Sequence, residues 1–149
     1  MEFSVRIPFV EHLGFTLDRM ADGEAQISYH PAPEHLNSFD VTHGGASMTL
    51  LDVVMAHAAR SVQTDTGCVT IEMKTSFMQA ARGPLVATGK LLHRTATMAF
   101  TEGRITDAQG KLCAHASGTF KYVKRLPTGP RSAQELNAPP SLNGGISTD

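Results

Sequence analysis

A single carboxylate, Asp52, sits inside the apolar run MTLLDVVMAHAA, residues 48–59, and it is the only formally charged residue from Gly44 to Ala59. Taking a carboxylate out of water without a partner costs several kcal/mol, so a chain keeps one there with partners or with a use. One use is a general base or nucleophile whose pKa is tuned by its apolar setting. The plainer role is to hydrogen-bond a neighbouring loop and fix the helix. Eight residues upstream, His43-Gly44-Gly45 opens the same segment. The first N–H groups of a helix lack intrahelical partners and carry the positive end of the macrodipole, and two glycines let a ligand atom come close. Such an end can polarise a carbonyl as an oxyanion hole, although a Gly-Gly pair can equally be a tight turn needing positive φ. On one helix the eight residues from Gly44 to Asp52 rise by roughly 12 Å, too far for both to act on one carbonyl. Either the helix starts later than Gly44, or the acid that serves a given amide comes from a second subunit.

Asn37 and His43 flank the loop before this helix, where each could hold a substrate oxygen or a water, or could simply be a turn asparagine and a structural histidine. Thr70, read as lying on the polar face of its strand, could bond to Asp52 or to water. His57 reads as a core or rim histidine. There is no Ser-His-Asp spacing, nucleophile elbow, P-loop or dinucleotide fingerprint. The seven histidines are scattered, with His93 and His115 alone on strands, so no metal site is expected.

The elements that must position these groups follow from periodicity and punctuation. Pro8 to Leu13 predicts a short helix stopped by Gly14. Phe15 to Tyr29 predicts two antiparallel strands around Ala21-Asp22-Gly23, and residues 30–42, with two prolines, predict a loop. Gly44 to Ser61 predicts a helix capped by Thr42 or the residue after it. It is apolar nearly all round, so other structure must wrap it. Alternation in CVTIEMKTSF places Val69, Ile71 and Met73 on the apolar face of a half-buried strand, with Thr70, Glu72 and Lys74 opposite. Three more strands follow, with a tight turn at Asp107-Ala108-Gln109-Gly110. One sheet curled around one helix, an α+β arrangement, accounts for this order.

A chain of 149 residues, 41 % apolar and 18 % charged, suits one domain. Residues 1–122 are expected to form it, and 123–149, which carry half of the eight prolines, are expected to be a mobile tail. A net charge of −1 without a basic cluster argues against nucleic acid, and no stretch suits a signal peptide or membrane span, which points to a soluble cytoplasmic protein. Cys68 and Cys113 are isolated and fit neither a disulfide framework nor a zinc site.

The pattern Asn37-x5-His43-Gly44-Gly45-x6-Asp52, inside a helix followed by a strand meander, resembles the hotdog-fold acyl-CoA thioesterases of the phenylacetate-degradation type. The resemblance implies a long helix wrapped by an antiparallel sheet, and two such units pairing side by side into a dimer with shared active sites, the dimers pairing again into a homotetramer. It implies that Asp52 activates water or attacks the thioester carbonyl and that the Gly44 N–H polarises it. Asn37 and His43 would then bind the thioester and leaving group, and the Thr70 hydroxyl would help orient the water. No cofactor is required. Arg82, Lys90, Arg94 and Lys121, together with Lys124 and Arg125, are candidates for the phosphates of coenzyme A. The acyl pocket is expected near Phe39, Met48, Met55 and Met78. The rival functions are a hydratase or dehydratase on the same fold and a non-catalytic acyl-CoA binding module.

Overall fold

The computed structural model describes residues 1–124. Helix α1 (Pro8–Leu13) starts with its proline and ends at Gly14, which takes a left-handed φ of 76°. Strands β1 (Thr16–Ala21) and β2 (Glu24–Tyr29) form the expected hairpin, its turn made by Asp22 and Gly23 at φ 55° and 82°. The following loop holds one 3-10 turn, Pro33–His35. Helix α2 (Gly44–Arg60) comes next, then β3 (Thr66–Phe77), β4 (Leu85–Arg94), β5 (Met98–Asp107) and β6 (Leu112–Lys124). Strand β6 thus runs two residues beyond Tyr122, the expected domain end. The tail from 125 lies outside the described residues.

All six strands join one antiparallel sheet in the order β1-β2-β4-β5-β6-β3, and α2 packs against every one of them. Leu50, Leu51, Val54, Met55, Ala58 and Ala59 of α2 have no exposed surface. Burying a leucine or methionine completely is worth about 1.5–3 kcal/mol, so this contact is the main stabilising surface. The helix can settle so close because β4, β5 and β6 each turn a glycine towards it. A Cβ on Gly89 would stand 2.5 Å from the Val54 carbonyl oxygen, and Cβ atoms on Gly103 and Gly118 would press on Met55 at 3.0 and 2.9 Å. Met55 therefore fills the space over the glycines and cannot line a substrate pocket, contrary to the expectation for it.

Strand β3 corrects a second expectation. Its partners on β6 shift between Thr70↔Phe120 and Glu72↔Thr119, leaving Ile71 as the extra residue of a bulge. Thr70, although exposed, thus shares a row with the fully buried Phe120 and faces α2, and Val69 and Ile71, 45 % and 54 % exposed, face away from it. Beyond the bulge Met73 faces inward, opposite Gly118. One inserted residue exchanges the faces that uniform alternation assigns. Strand β3 is also a sheet edge, with its outer backbone unpaired among the described residues.

Candidate active site

Helix α2 is helical from Gly44 itself, which removes the possibility of a later start. His43 is its N-cap, with φ −58° and ψ 137°, and its Nδ1 accepts the Gly45 N–H at 2.8 Å. Nδ1 is therefore unprotonated and the exposed Nε2 carries the hydrogen. The Ala46 and Ser47 N–H groups both go to the His43 carbonyl, at 3.0 and 3.1 Å. The Gly44 N–H is left without a partner among the described residues, at the positive end of a 17-residue helix.

Asn37 builds the loop that leads to this end. Its Oδ1 accepts the N–H groups of Phe39 and Val41 at 2.9 and 3.2 Å, and its own N–H goes to the Val41 carbonyl at 2.8 Å. The tight loop needs Asp40 at φ 57°. With Oδ1 committed to the backbone, the Asn37 side-chain NH2 is left to donate elsewhere. Behind the loop, the His35 carbonyl accepts the His43 N–H at 2.8 Å, and the Tyr29 hydroxyl meets His35 Nδ1 at 2.8 Å, tying the helix start to β2.

Asn37, Gly44 and Arg82 border an open groove of about 610 Å³, with Phe39, Phe77 and Met78 on its apolar walls and Ala81, Cys113 and Ala114 along it. Phe77 packs beside the open amide, 3.5 Å from where a Gly44 Cβ would stand. The groove has no carboxylate in its lining. Thr42 and Ser47 also border it; Thr42 was expected only as a possible helix cap, a place His43 takes, and Ser47 was not among the expected site residues. Ser47 had given one signal, a polar residue one turn after Gly44 in an apolar helix.

Asp52 is elsewhere. It lies about 12 Å further along α2, half-buried, where Thr70 donates its hydroxyl to Oδ1 at 2.5 Å. Burial raises the Asp52 pKa above its ordinary value, and the Thr70 hydrogen bond, which favours the charged form, pulls it back part of the way. The β3 bulge is what brings Thr70 to this position. Met48, one turn before Asp52, is exposed on α2 and does not border the groove.

The basic candidates separate. Arg82 stands at the groove. Arg94 donates Nη2 to the Gln63 side chain at 2.5 Å and lies 4.8 Å over the Tyr122 ring, near the far end of α2. Lys90 pairs in register with Glu24 and Glu102, and Lys121 with Val69 and Met98, in rows on the sheet face turned away from α2. His57 is buried, its Nδ1–H donating to the Val53 carbonyl at 2.7 Å, and burial pushes its pKa down. Burial also raises both thiols, Cys68 to about 11, so neither is an activated nucleophile. Among the described residues no group of three metal-ligating side chains forms, and no helix is long and apolar enough to cross a membrane.

A long helix enclosed by one antiparallel sheet, entered through an open amide and carrying a half-buried acid, defines a hotdog-fold enzyme of thioester hydrolysis. The chain belongs to the thioesterase superfamily, whose family model matches residues 39–114. It is 33 % identical over 104 residues to a protein of Saccharolobus solfataricus named as an esterase, covering 69 % of this chain and 74 % of that one. It is 30 % identical over 107 residues to human acyl-coenzyme A thioesterase 13, covering 70 % and 76 %. Among solved structures, a conserved protein of Pseudomonas aeruginosa superposes with a TM-score of 0.76 at 28 % identity, over 80 % of this chain and 96 % of that one. The PaaI protein of the E. coli phenylacetic acid degradation operon shares the fold, with a TM-score of 0.72 at 22 % identity over 77 % and 83 %.

Proposed function

We propose that the protein hydrolyses acyl-coenzyme A thioesters to free acid and coenzyme A at composite sites, each combining Asp52 of one copy with the Gly44 groove of another. The observation that carries this reading is the separation itself. The groove with the open amide lacks a carboxylate, and the acid stands about 12 Å away along the same helix. A two-fold dimer in which the free β3 edges pair would join the sheets, cover Val69 and Ile71, and lay antiparallel α2 helices side by side. Met48 then borders the site from the Asp52 side. Pairing of such dimers into a homotetramer belongs to the same proposal. Two unbridged thiols and an acyl-CoA substrate suit the cytoplasm.

In the reaction, Asp52 takes a proton from a water whose oxygen attacks the thioester carbon. The carbonyl π electrons move onto the oxygen, which the Gly44 N–H stabilises. Collapse restores the C=O bond and breaks C–S, sulfur leaves with the bonding electrons, and the proton on Asp52 is available to it. The His43 Nε2–H and the Asn37 NH2 are the donors for the thioester and the departing sulfur, and Arg82 is the groove cation that first meets a phosphate of coenzyme A.

Complementation tests the shared site. Gly44 is the first helical residue, where proline is best tolerated, and His43 already holds a conformation that can precede proline. Gly44→Pro therefore deletes one N–H with little other change. Asp52→Asn chains and Gly44→Pro chains, each inactive in thiol release from acyl-CoA, are unfolded together and refolded. Random pairing makes half of the dimers mixed, each with one intact site, so about a quarter of wild-type activity returns. Recovery of none sinks the shared site, and absence of thiol release by wild type from short, medium, long and aromatic acyl-CoAs sinks the activity.

A further inference from the structure

Two side chains of the groove have no task in that reaction. Ser47 is 3 % exposed and Thr42 is 5 % exposed, and both border the groove on either side of Gly44. The Thr42 Oγ1 is buried without a hydrogen-bond partner, and the Ser47 hydroxyl has none among the described residues. Their backbone N–H groups are spent on the Ala81 and His43 carbonyls, so only the hydroxyls are free to act. A buried hydroxyl left unpaired costs free energy until a ligand or water completes it, and native structures contain few. Here the Thr42 hydroxyl is one, and the unpaired Ser47 hydroxyl stands with it in the lining of the groove that holds the open amide.

Resting on the acyl-CoA reading of this site, we propose that Ser47, with Thr42, binds a second oxygen of the acyl group, carried on its third carbon, so that 3-hydroxyacyl thioesters are preferred over plain ones. Ser47 follows Gly44 by three residues, one turn and a rise of about 4.5 Å on the same helix face. With the thioester oxygen on the Gly44 N–H, an oxygen four bonds away along the acyl chain lies about 3–5 Å from it in staggered conformations, within reach of the Ser47 hydroxyl. The amide oxygen of the coenzyme's thiol arm is seven bonds away and overshoots. Serine and threonine each donate and accept, so together they can satisfy both functions of a substrate hydroxyl. A site built this way discriminates against an analogue that leaves its hydroxyls unpaired.

The test compares kcat/KM for 3-hydroxyhexanoyl-CoA and hexanoyl-CoA, followed as thiol release, in wild type, Ser47→Ala and Thr42→Val. Wild type is expected to favour the hydroxylated substrate about tenfold, and the ratio to fall towards one in both variants. Alanine is the better helix former and valine is isosteric with threonine, so both chains should fold. Melting curves check this, and Thr42→Val carries the test alone if Ser47→Ala is unstable. A wild-type ratio of one overturns the proposal, as does an equal loss on both substrates in both variants. Consumption of the hydroxylated substrate without thiol release would mean dehydration and also overturns it. If wild type turns over neither substrate, the acyl-CoA reading itself falls and this inference with it; turnover without preference removes only the inference.

Discussion

The two ends of α2 are built to opposite standards. At the C-terminal end the polar groups are closed off one by one. Ser61 Oγ donates to the Ala58 carbonyl and accepts the Gly23 N–H, both at 2.7 Å. Tyr122 donates its hydroxyl to the Ala59 carbonyl at 2.8 Å, and Arg60 Nε donates to the Thr66 carbonyl at 2.9 Å. The exception is His57, whose Nε2 is buried without a partner among the described residues, and burial lowers the pKa of that ring. At the N-terminal end the Gly44 N–H, the Asn37 NH2 and the Thr42 and Ser47 hydroxyls have no protein partner among the described residues. Unsatisfied groups are destabilising, and they survive where the rest of the structure is held firmly enough to carry them. One end of the helix anchors the fold, which leaves the other free for a ligand.

The sharpest way to break this contrast is to alter the mid-helix acid and the open amide, the two groups proposed to react, and look for damage to the fold. Asp52→Asn is expected to lower kcat/KM by about 10²–10⁴, and Gly44→Pro by about 10²–10³, with neither lowering Tm. For Asp52 the sign is more specific. Its carboxyl pKa is raised in the folded state, so the native state binds that proton more tightly than the unfolded chain does. Stability is then greatest below the ordinary aspartate range and falls as pH rises through the raised value. Asp52→Asn removes that loss, so Tm rises at neutral pH, and the gain fades as pH falls through the same window. A variant that loses both activity and Tm would make Asp52 a structural acid.

The closed end should respond in reverse. Tyr122→Phe keeps the ring and the stacking surface for Arg94 but leaves the Ala59 carbonyl short of a donor. The expected loss is about 1 kcal/mol of stability, a few degrees in Tm, with kcat/KM unchanged. A fall in kcat/KM without a fall in Tm would show that the two ends are not divided as described.

What could be read beforehand follows the same division between regular and local features. Local signals were sufficient for α1, the Asp22-Gly23 turn and the start of α2, because proline, glycine and apolar spacing act within a few residues. The separation of Asp52 from Gly44 was legible from helix geometry alone, since a fixed rise per residue keeps them apart. The bulge at Ile71 was not, because alternation looks the same on both sides of an inserted residue and only the pairing with β6 reveals the shift. Met55 was misplaced for a related reason. A flexible side chain near an acid suggests a pocket, until Gly89, Gly103 and Gly118 are seen to lie beneath the helix. Those glycines did leave a mark, one in the interior of each of three strands, a sign of close backbone approach. Lys90 and Lys121 could not be sorted from Arg82 without knowing which strand face looks outward.

The smallest predicted effect concerns the one hydrogen bond that crosses from sheet to acid. Thr70→Val keeps shape and β preference but removes the donor to Asp52 Oδ1. That bond favours the carboxylate over the acid, so without it desolvation acts unopposed and the Asp52 pKa rises further. A base works only when deprotonated, so the acidic limb of kcat/KM should move to higher pH in the variant, starting from a wild-type limb already above the ordinary aspartate range. The plateau at higher pH separates two roles for the threonine. If Thr70 only tunes the acid, the plateau matches wild type; if its hydroxyl also orients the attacking water, the plateau drops as well as the limb moving. A limb that stays in place or moves to lower pH would mean that the acid setting the rate is not Asp52, and the open end of α2 would then need a different base.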